Sequence, residues 1–286
     1  KQGILVEGEP GIGKTRLLEE FAKWVEKQNV FFLFCKLAQK EDSGPLAAHT
    51  ELLRLIVNTL GVDKFMEVLK KLIPSEIAEI SYLYPAARTV FKDTSVKSEP
   101  GRRAENLFSG LYKILVSATG KKTLVLAVDD LNRANQITLQ FFSILLGGSD
   151  IEKFMFIGTY GKESREILKD LLSKEIFTTI KLKLLVKNEV SQLISSIFPD
   201  IKFESKQIED MFNTSKGSPL LLCGILKNLV EKGRIQYEGD KWKLKDVHIK
   251  DIPNSMADAM EPILGDLDDE TREMLSDMAV MGEKVE

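Results

Sequence analysis

Eight consecutive residues near the start of the chain, 8-GEPGIGKT-15, have the composition and spacing of a phosphate-binding loop. They match G-x-x-x-x-G-K-[ST] at every fixed position, and they stand between a strand pattern and a helical pattern, as this motif requires. Glycines permit backbone conformations that other residues avoid, so the loop N–H groups can converge on phosphate oxygens. The predicted nucleotide-binding residues of the loop are Gly8, Glu9, Pro10, Gly11, Ile12, Gly13, Lys14 and Thr15.

Two side chains of this loop are predicted to have separate roles. Lys14 can reach the β- and γ-phosphates of a nucleotide, which makes it a candidate catalytic residue, and the Thr15 hydroxyl is placed to ligate Mg²⁺. A glycine-rich strand–helix turn that arose by chance is the alternative, but it explains a complete motif in its proper context poorly. We therefore expect the chain to bind ATP or ADP together with Mg²⁺.

Two carboxylates end the apolar run 123-TLVLAVDD-130. Ligands of wound α/β sheets bind at the carboxyl ends of the strands, so both carboxylates are expected near the phosphate loop. We predict that Asp129 contacts Mg²⁺ or a water bound to it, close to Thr15. Asp130 is predicted to orient or deprotonate the attacking water as a catalytic residue. A solvated strand end or a helix cap is the alternative explanation of this pair.

A further strand, 153-KFMFIGTY-160, is predicted to lie beside the first strand of the chain. Thr159 at its end could sense the γ-phosphate of the nucleotide. A threonine at the end of a strand more often has a structural role, and the sequence leaves both roles open.

Strand patterns alternate with helical patterns over roughly residues 1–182, which favours a wound α/β domain. The strand candidates are 3–8, 30–37, 123–129, 153–160 and 176–182. Their apolar runs are continuous, which is typical of a parallel sheet buried on both faces. The helix candidates are 14–28, 46–60, 103–119, 135–146, 163–173, 187–198, 205–215 and 219–233. Core-facing spacing on the first of these helices predicts that Trp24 is buried.

The predicted domains are a P-loop nucleotide-binding α/β core over 1–183, a helical domain with a β-hairpin over 184–250, and the beginning of a further helical or winged-helix unit over 251–286. Residues of about 63–100 are expected to form a helical insertion in the core, ending in a polar loop. The hairpin is predicted to turn at Glu238-Gly239-Asp240. The abrupt start and end of the chain predict a piece of a longer protein, with its last unit truncated.

Composition excludes several classes of protein. Of the 286 residues, 43% are hydrophobic and 29% are charged, which excludes disordered, collagen-like and coiled-coil chains. No apolar run approaches the ~18 residues of a membrane span, so no membrane association is expected. Two cysteines cannot form a disulfide framework, which favours a cytoplasmic location. The net charge of -3 gives no global basic field, so nucleic acid is not an expected partner.

The motifs resemble those of the STAND-type signalling ATPases, an AAA+-related P-loop group, in the branch fused to adenylate cyclases, serine/threonine kinases and LuxR-type regulators. The family loop reads approximately GEPGIGKSRL, and this chain has 8-GEPGIGKTRL-17. The family acidic strand ends in DDLHWAD and its later strand in GTYR, against 129-DDLNRAN-135 and 158-GTYG-161 here. A family GNP motif followed by a helix resembles 217-GSPLLLCGILKNLVEKG-233. The resemblance covers nearly the whole chain.

This resemblance implies a nucleotide-binding core, a small helical domain and the start of a winged-helix domain. It also implies a protein that holds ADP at rest, exchanges it for ATP on a signal, and then reorganises or self-assembles, with other domains of the same longer chain as partners. Pro219 would pack near the adenine and the β-phosphate side, although a proline after a Gly-Ser turn is also an ordinary helix start. Arg16 would contact phosphate or form a salt bridge across the core, or simply lie exposed.

The chain departs from the family pattern at several positions. Asn132, Arg133 and Asn135 replace the family His, Trp and Asp, and Gly161 replaces the arginine of GTYR. The last change removes a positive group from the place where transition-state charge develops, although Arg133 or Lys162 could substitute. We therefore expect an ATP/ADP-binding regulatory switch with slow hydrolysis, in a larger signal-transduction protein. The alternatives are a continuously cycling ATPase motor or remodeller, a degenerate nucleotide-binding scaffold, and a DNA-binding regulator.

Overall fold

The computed structural model describes residues 2–37, 44–90 and 100–245. The unit predicted over 251–286 lies outside these residues, as does most of the polar loop predicted at the end of the insertion. Within the described ranges, no helix is both long and apolar enough to cross a membrane.

A five-stranded parallel sheet forms the centre of the first part of the chain. Its strands are β1 (Gln2–Glu7), β2 (Val30–Lys36), β3 (Thr123–Asp129), β4 (Phe154–Tyr160) and β5 (Phe177–Lys181). Their order across the sheet is β2-β3-β4-β1-β5. Strand β1 pairs with β4, which confirms that the 153–160 strand lies beside the first one. The predicted α/β fold with a parallel P-loop sheet is confirmed.

Helices connect these strands. They are α1 (Lys14–Val25), α2 (Ala47–Leu60), α3 (Val62–Leu69), α4 (Pro74–Leu83), α5 (Arg103–Thr119), α6 (Gln136–Gly147) and α7 (Lys169–Leu172). The single helix predicted over 163–173 is wrong, because the chain forms a 3-10 turn at Lys162–Ser164 and then the short α7. Arg165 lies between these two pieces, and its side chain is bonded to Glu7 at the end of β1.

Burial differs between the central strands and the edge strands. Strands β1, β3 and β4 are buried along most of their length, as their continuous apolar runs predict. Strand β2 alternates between buried and half-buried residues, and β5 is mostly exposed. The expectation that every strand is buried on both faces is therefore wrong for the edge strands β2 and β5. An edge strand has only one neighbouring strand, and fewer helical side chains pack over it.

Two hydrophobic clusters cover the sheet. The larger one includes Leu5 and Phe156 of the sheet and Leu111 of α5, and it draws residues from α2 to α7. A smaller cluster on the opposite face includes Leu18 of α1 and Ile157 of β4. The sheet is therefore the middle layer of the core, with α1 alone supplying the buried helical residue of the smaller cluster.

The expectation that Trp24 is buried is wrong, because its side chain is 60% exposed. Helix α1 buries Leu18 and Val25, and successive helical residues are rotated by ~100°, so Trp24 is turned away from that face. Its ring instead contacts Phe21, with a centroid distance of 5.9 Å.

The chain divides into two compact units, one of Lys1–Glu9 with Lys14–Leu182, the other of Pro10–Gly13 with Lys183–Glu286. The second unit contains α8 (Lys187–Ile197), α9 (Ser205–Ser215), α10 (Pro219–Glu231), β6 (Ile235–Glu238) and β7 (Lys241–Leu244). These elements share a hydrophobic core of their own. The predicted hairpin turn is confirmed, since Gly239 and Asp240 have the positive φ values, 58° and 62°, that a two-residue type I′ turn requires.

An ion pair between a buried carboxylate and a half-exposed lysine joins the helical insertion to α5. Glu76 of α4 is 1% exposed, and its carboxylate accepts hydrogen bonds from Lys113 Nζ and Ser109 Oγ, both at 2.6 Å. It also accepts one from the Ile73 N–H at 3.2 Å. Burial raises the pKa of Glu76, but these hydrogen bonds and the Lys113 charge outweigh that effect, so the pKa is lowered overall. The carboxylate is therefore buried as an anion.

We expect Lys113→Met to lower the free energy of unfolding by about 2–3 kcal/mol near neutral pH, because a buried carboxylate loses its cation. In the wild type, the lowered Glu76 pKa contributes stability above the unfolded pKa, and this contribution is lost as pH falls through the folded pKa. The difference between the two proteins should therefore be largest above the unfolded pKa of about 4.3 and shrink as pH falls below it. Urea unfolding across this pH range measures it, with Lys113→Arg as the control, and a difference that does not vary with pH would contradict the assignment.

Candidate functional site

The phosphate-binding motif lies between the end of β1 at Glu7 and the start of α1 at Lys14. Gly11 and Gly13 have φ values of 76° and 100°, which favour glycine. A Cβ on Gly11 would also lie 2.8 Å from the Leu220 side chain, so this position excludes larger residues twice over. At Gly13, no described atom outside the glycine and its two chain neighbours lies within 4 Å of the Cβ position. A side chain at Gly13 would therefore meet open space, so it is the backbone conformation that requires glycine there.

Lys14 is held by the loop itself. Its side chain is buried, and Nζ donates hydrogen bonds to the Gly8 carbonyl at 2.8 Å and to the Glu9 carbonyl at 3.1 Å. A buried ammonium needs such partners, because an unpaired charge away from water is costly. Thr15 follows on the first turn of α1 and is half-buried. The two side chains predicted to bind phosphate and Mg²⁺ thus begin the helix that follows the loop.

Strands β3 and β4 bring Asp129, Asp130 and Thr159 together. Thr159 is fully buried and donates its hydroxyl proton to Asp129 Oδ1 at 2.6 Å. The same hydroxyl oxygen accepts the backbone N–H of Asp130 at 2.9 Å. Thr159 therefore orients both aspartates in this structure. The sequence predicts either that Thr159 senses the γ-phosphate or that it has a structural role. Because its hydroxyl proton is donated to Asp129, the geometry favours the structural role.

Asp130 has a left-handed backbone conformation, with φ 59° and ψ 54°. This conformation is uncommon for residues other than glycine, but aspartate tolerates it. Asp130 begins the 3-10 turn Leu131–Arg133, in which the Arg133 N–H donates to the Asp130 carbonyl at 2.8 Å. Arg133 Nε also lies 3.4 Å from Asp130 Oδ2. The predicted base therefore has a cation beside its carboxylate.

Asn135, which replaces the family aspartate, is the N-cap of α6. Its Oδ1 accepts the Thr138 N–H at 2.9 Å and the Thr138 hydroxyl at 3.0 Å, and its Nδ2 donates to the Pro45 carbonyl at 2.8 Å. Asparagine is among the preferred capping residues, so this departure preserves the start of the helix.

Glu7, Tyr160 and Arg165 form a cluster that no sequence motif predicts. Glu7 is 6% exposed, and its Oε2 accepts hydrogen bonds from Tyr160 Oη and Arg165 Nε, both at 2.8 Å. Arg165 Nη2 donates to the other oxygen, Oε1, at 2.7 Å. The one sequence signal is a glutamate at the end of the otherwise apolar run 3-GILVEG-8, next to the phosphate loop.

Titration in this cluster follows from burial and charge. Burial raises the pKa of Glu7, but the hydrogen bonds from Arg165 and Tyr160 and the Arg165 charge outweigh it, so the pKa is lowered overall. Burial and the bond to Glu7 raise the pKa of Tyr160 to about 12. Glu7 is therefore an anion and Tyr160 a neutral donor at neutral pH.

The remaining predicted residues, Arg16 and Pro219, lie in different surroundings. Arg16 is exposed, and its guanidinium pairs with Glu20 of its own helix at 2.6 Å. Pro219 is the first residue of α10, after the N-cap Ser218. Within the second unit, the next residue, Leu220, donates its N–H to the Gly11 carbonyl at 3.2 Å. Leu220 of α10 therefore contacts Gly11 within the second unit, whereas Arg16 pairs on the surface of α1.

The chemistry of these groups fits a nucleotide with Mg²⁺. The loop offers a buried cation and an open glycine, and Asp129 and Thr15 offer oxygen ligands. No group of three or more His, Cys, Asp or Glu side chains that could hold a metal occurs in the described part of the chain. Few protein ligands are typical of Mg²⁺, which keeps several waters and uses one or two carboxylates plus substrate phosphates.

Comparisons with known proteins place the chain in a family. A family model for the AAA ATPase domain matches residues 1–157. No curated protein matches the chain.

Three solved structures are similar at low identity. A STAND protein with a tetratricopeptide repeat sensor from Pyrococcus horikoshii is 17% identical, with a TM-score of 0.48, over 100% of this chain and 33% of that chain. The Thermotoga maritima RuvB Holliday junction branch migration motor is 17% identical, with a TM-score of 0.41, over 96% and 67%. The FIGL-1 AAA domain in complex with ADP is 13% identical, with a TM-score of 0.37, over 96% and 76%. The chain spans about a third of the length of the STAND protein.

Thr159→Val tests the contact between the two strand ends. Valine keeps the shape but removes the hydroxyl, so the Asp130 N–H loses its acceptor and Asp129 its donor. We expect a loss of about 1–3 kcal/mol in the free energy of unfolding, measured by urea titration. Thr159→Ser, which keeps the hydroxyl, is the control. Equal stability of the valine variant and the wild type would show that the hydroxyl does not orient the aspartates.

Proposed function

Because the chain belongs to the AAA ATPase domain family, we propose that it is an ATP/ADP-binding regulatory switch with slow hydrolysis, of the STAND type, within a larger signal-transduction protein. Its membership confirms the AAA-related P-loop class that the motifs predict. One observation carries the proposal: the buried Lys14 ammonium lies at the base of a complete phosphate-binding loop.

Nucleotide binding is assigned to the 8–15 loop. Phosphate oxygens would accept the hydrogen bonds that Lys14 Nζ now donates to two loop carbonyls. The N-terminus of α1 adds positive partial charge and N–H donors at the same place. The role of Pro219 beside the nucleotide stays a prediction from the family resemblance.

Metal binding is assigned to Thr15 and Asp129. Mg²⁺, when bound, would neutralise charge on the phosphates. Thr159 donates to Asp129 Oδ1, so Oδ2 would be the oxygen that binds the ion or one of its waters. Asp130 would orient the attacking water and accept its proton. Its backbone N–H donates to Thr159, so one hydroxyl anchors the main chain of Asp130 and the carboxylate of Asp129.

Two features support slow turnover over a motor function. Gly161 supplies no cation at the end of the strand that carries Thr159. Arg133 pairs with Asp130 Oδ2, so the carboxylate assigned as the base must give up this partner before it can act on water. A continuously cycling motor needs fast turnover, so the two functions predict different rates for the same chain.

Lys14→Ala is expected to weaken ADP binding by more than about tenfold, because a charge-assisted contact worth about 1.5–3 kcal/mol is removed. Isothermal calorimetry measures the two dissociation constants. Lys23→Ala is the matched control, since Lys23 lies on the same helix but pairs with Glu20 on the surface. If ADP binds equally well to Lys14→Ala and to the wild type, the loop is not the nucleotide site.

Phosphate release by the purified chain is expected to be well below the ~10 s⁻¹ that is typical of enzymes. Asp130→Asn should slow it further while leaving ADP affinity nearly unchanged, because the amide cannot accept the proton of water. Steady-state phosphate release and calorimetry on both proteins measure these effects. Turnover of several per second by the wild type would favour the motor, and loss of ADP binding in Asp130→Asn would make Asp130 a structural residue.

A further inference from the structure

The residue before the phosphate loop carries a buried charge that the proposed chemistry does not use. Glu7 ends β1, and its carboxylate is bonded to Tyr160 Oη and, in bidentate geometry, to the Arg165 guanidinium. Replacing a buried ion pair by apolar residues is often neutral or stabilising, so stability alone does not explain such a group. An alternative explanation of the buried cluster is that it holds the backbone beside the phosphate loop in a fixed position.

The backbone around Glu7 shows what this geometry fixes. The Gly8 N–H donates to the Tyr160 carbonyl at 3.2 Å, and the Gly8 carbonyl accepts from Lys14 Nζ at 2.8 Å. The Glu7 carbonyl accepts the Leu182 N–H at 2.9 Å. Gly8 is therefore held from both sides, by Tyr160 through its N–H and by Lys14 through its carbonyl. Tyr160 itself is held through its hydroxyl by Glu7.

We propose that Glu7, Tyr160 and Arg165 are positioning residues for the phosphate loop, which set the place of Gly8 and Lys14 and thereby the affinity for nucleotide. The proposal rests on the nucleotide-binding function proposed above. Arg165 is the part of the cluster that reaches the surface, with a side chain 45% exposed, whereas Glu7 and Tyr160 are buried. Its loss would leave the Glu7 carboxylate buried with no bidentate partner, directly before the loop.

If the cluster positions the loop, a variant without Arg165 should show a pH-dependent loss of ADP affinity, which a merely structural role does not predict. The groups that act on the Glu7 carboxylate are Tyr160 of β4, Arg165 of the segment after β4, and Lys181 of β5. Without Arg165, burial raises the pKa of Glu7. At high pH the ionised carboxylate would leave its site and displace Gly8, and at low pH the protonated group would stay in place. The defect in nucleotide binding should therefore grow as pH rises.

The test measures ADP dissociation constants by calorimetry for the wild type, Arg165→Met, and the double variant Glu7→Gln with Arg165→Met. Comparing each variant with the wild type at the same pH cancels the titration of the nucleotide. We expect Arg165→Met to bind ADP about tenfold more weakly near pH 8, as for loss of a supporting side chain, and to come closer to the wild type as pH falls. The double variant, with no charge to bury, should regain most of the affinity at both pH values.

Arg54→Met is the matched control, because Arg54 makes a bidentate contact with Glu51 on the exposed face of α2. It should leave ADP affinity unchanged. Arg165→Lys keeps the charge but not the bidentate contact, and it should give a smaller loss with the same pH trend. The proposal is overturned if Arg165→Met binds ADP as tightly as the wild type at every pH. If Arg165→Met does not fold, the same result for Arg165→Lys overturns it. If the wild type itself binds no ADP, the proposed function fails, and this inference fails with it.

Discussion

The parallel register of β1, β3 and β4 is the constraint on which the site depends. Glu7 is paired with Tyr160, and Val128 with Gly158, so the strands end at one edge and Asp129 is level with Thr159. A shift of one residue would turn every side chain of a strand to the other face and separate the aspartates from the threonine that orients them. The hydrophobic layers on both faces hold this register, which links core packing to the geometry of the site.

Close packing at the strand ends also connects the core to the geometry of the site. A Cβ on Gly158 would lie 2.2 Å from the Leu131 side chain, so only glycine lets Leu131 pack over β4. Leu131 is the first residue of the turn after Asp130, and its burial holds that turn against the sheet. The left-handed backbone at Asp130 persists because Leu131 packs on one side and Thr159 accepts the Asp130 N–H on the other.

Local sequence patterns were sufficient to predict the loop, the two aspartates and the α/β class. The loop is a contiguous motif, and a buried parallel strand leaves a continuous apolar run, so each signal lies within a few residues. The Glu7 cluster could not be found this way, because Glu7 meets Tyr160 and Arg165 across 153 and 158 residues of chain. Strand β5 was misjudged for a related reason, since an apolar run does not show whether a strand lies at the centre or the edge.

Three cations at the carboxyl edge of the sheet are paired within the described part of the chain. Lys14 bonds to loop carbonyls, Arg133 to Asp130, and Arg165 to Glu7. A phosphate that binds one of these cations must therefore replace a contact that already exists. The net free energy of binding is then smaller than the sum of the new hydrogen bonds.

A ligand shifts a conformational equilibrium only by its different affinity for the two states. ATP and ADP differ by one phosphate. In the proposed switch, their different affinities for the two states must therefore arise where that phosphate replaces the present partners of Lys14 or Arg133. The ion pair between Arg133 and Asp130 is half-exposed, and such pairs are worth at most about 1 kcal/mol. It is therefore the contact of the three that a phosphate can break most easily.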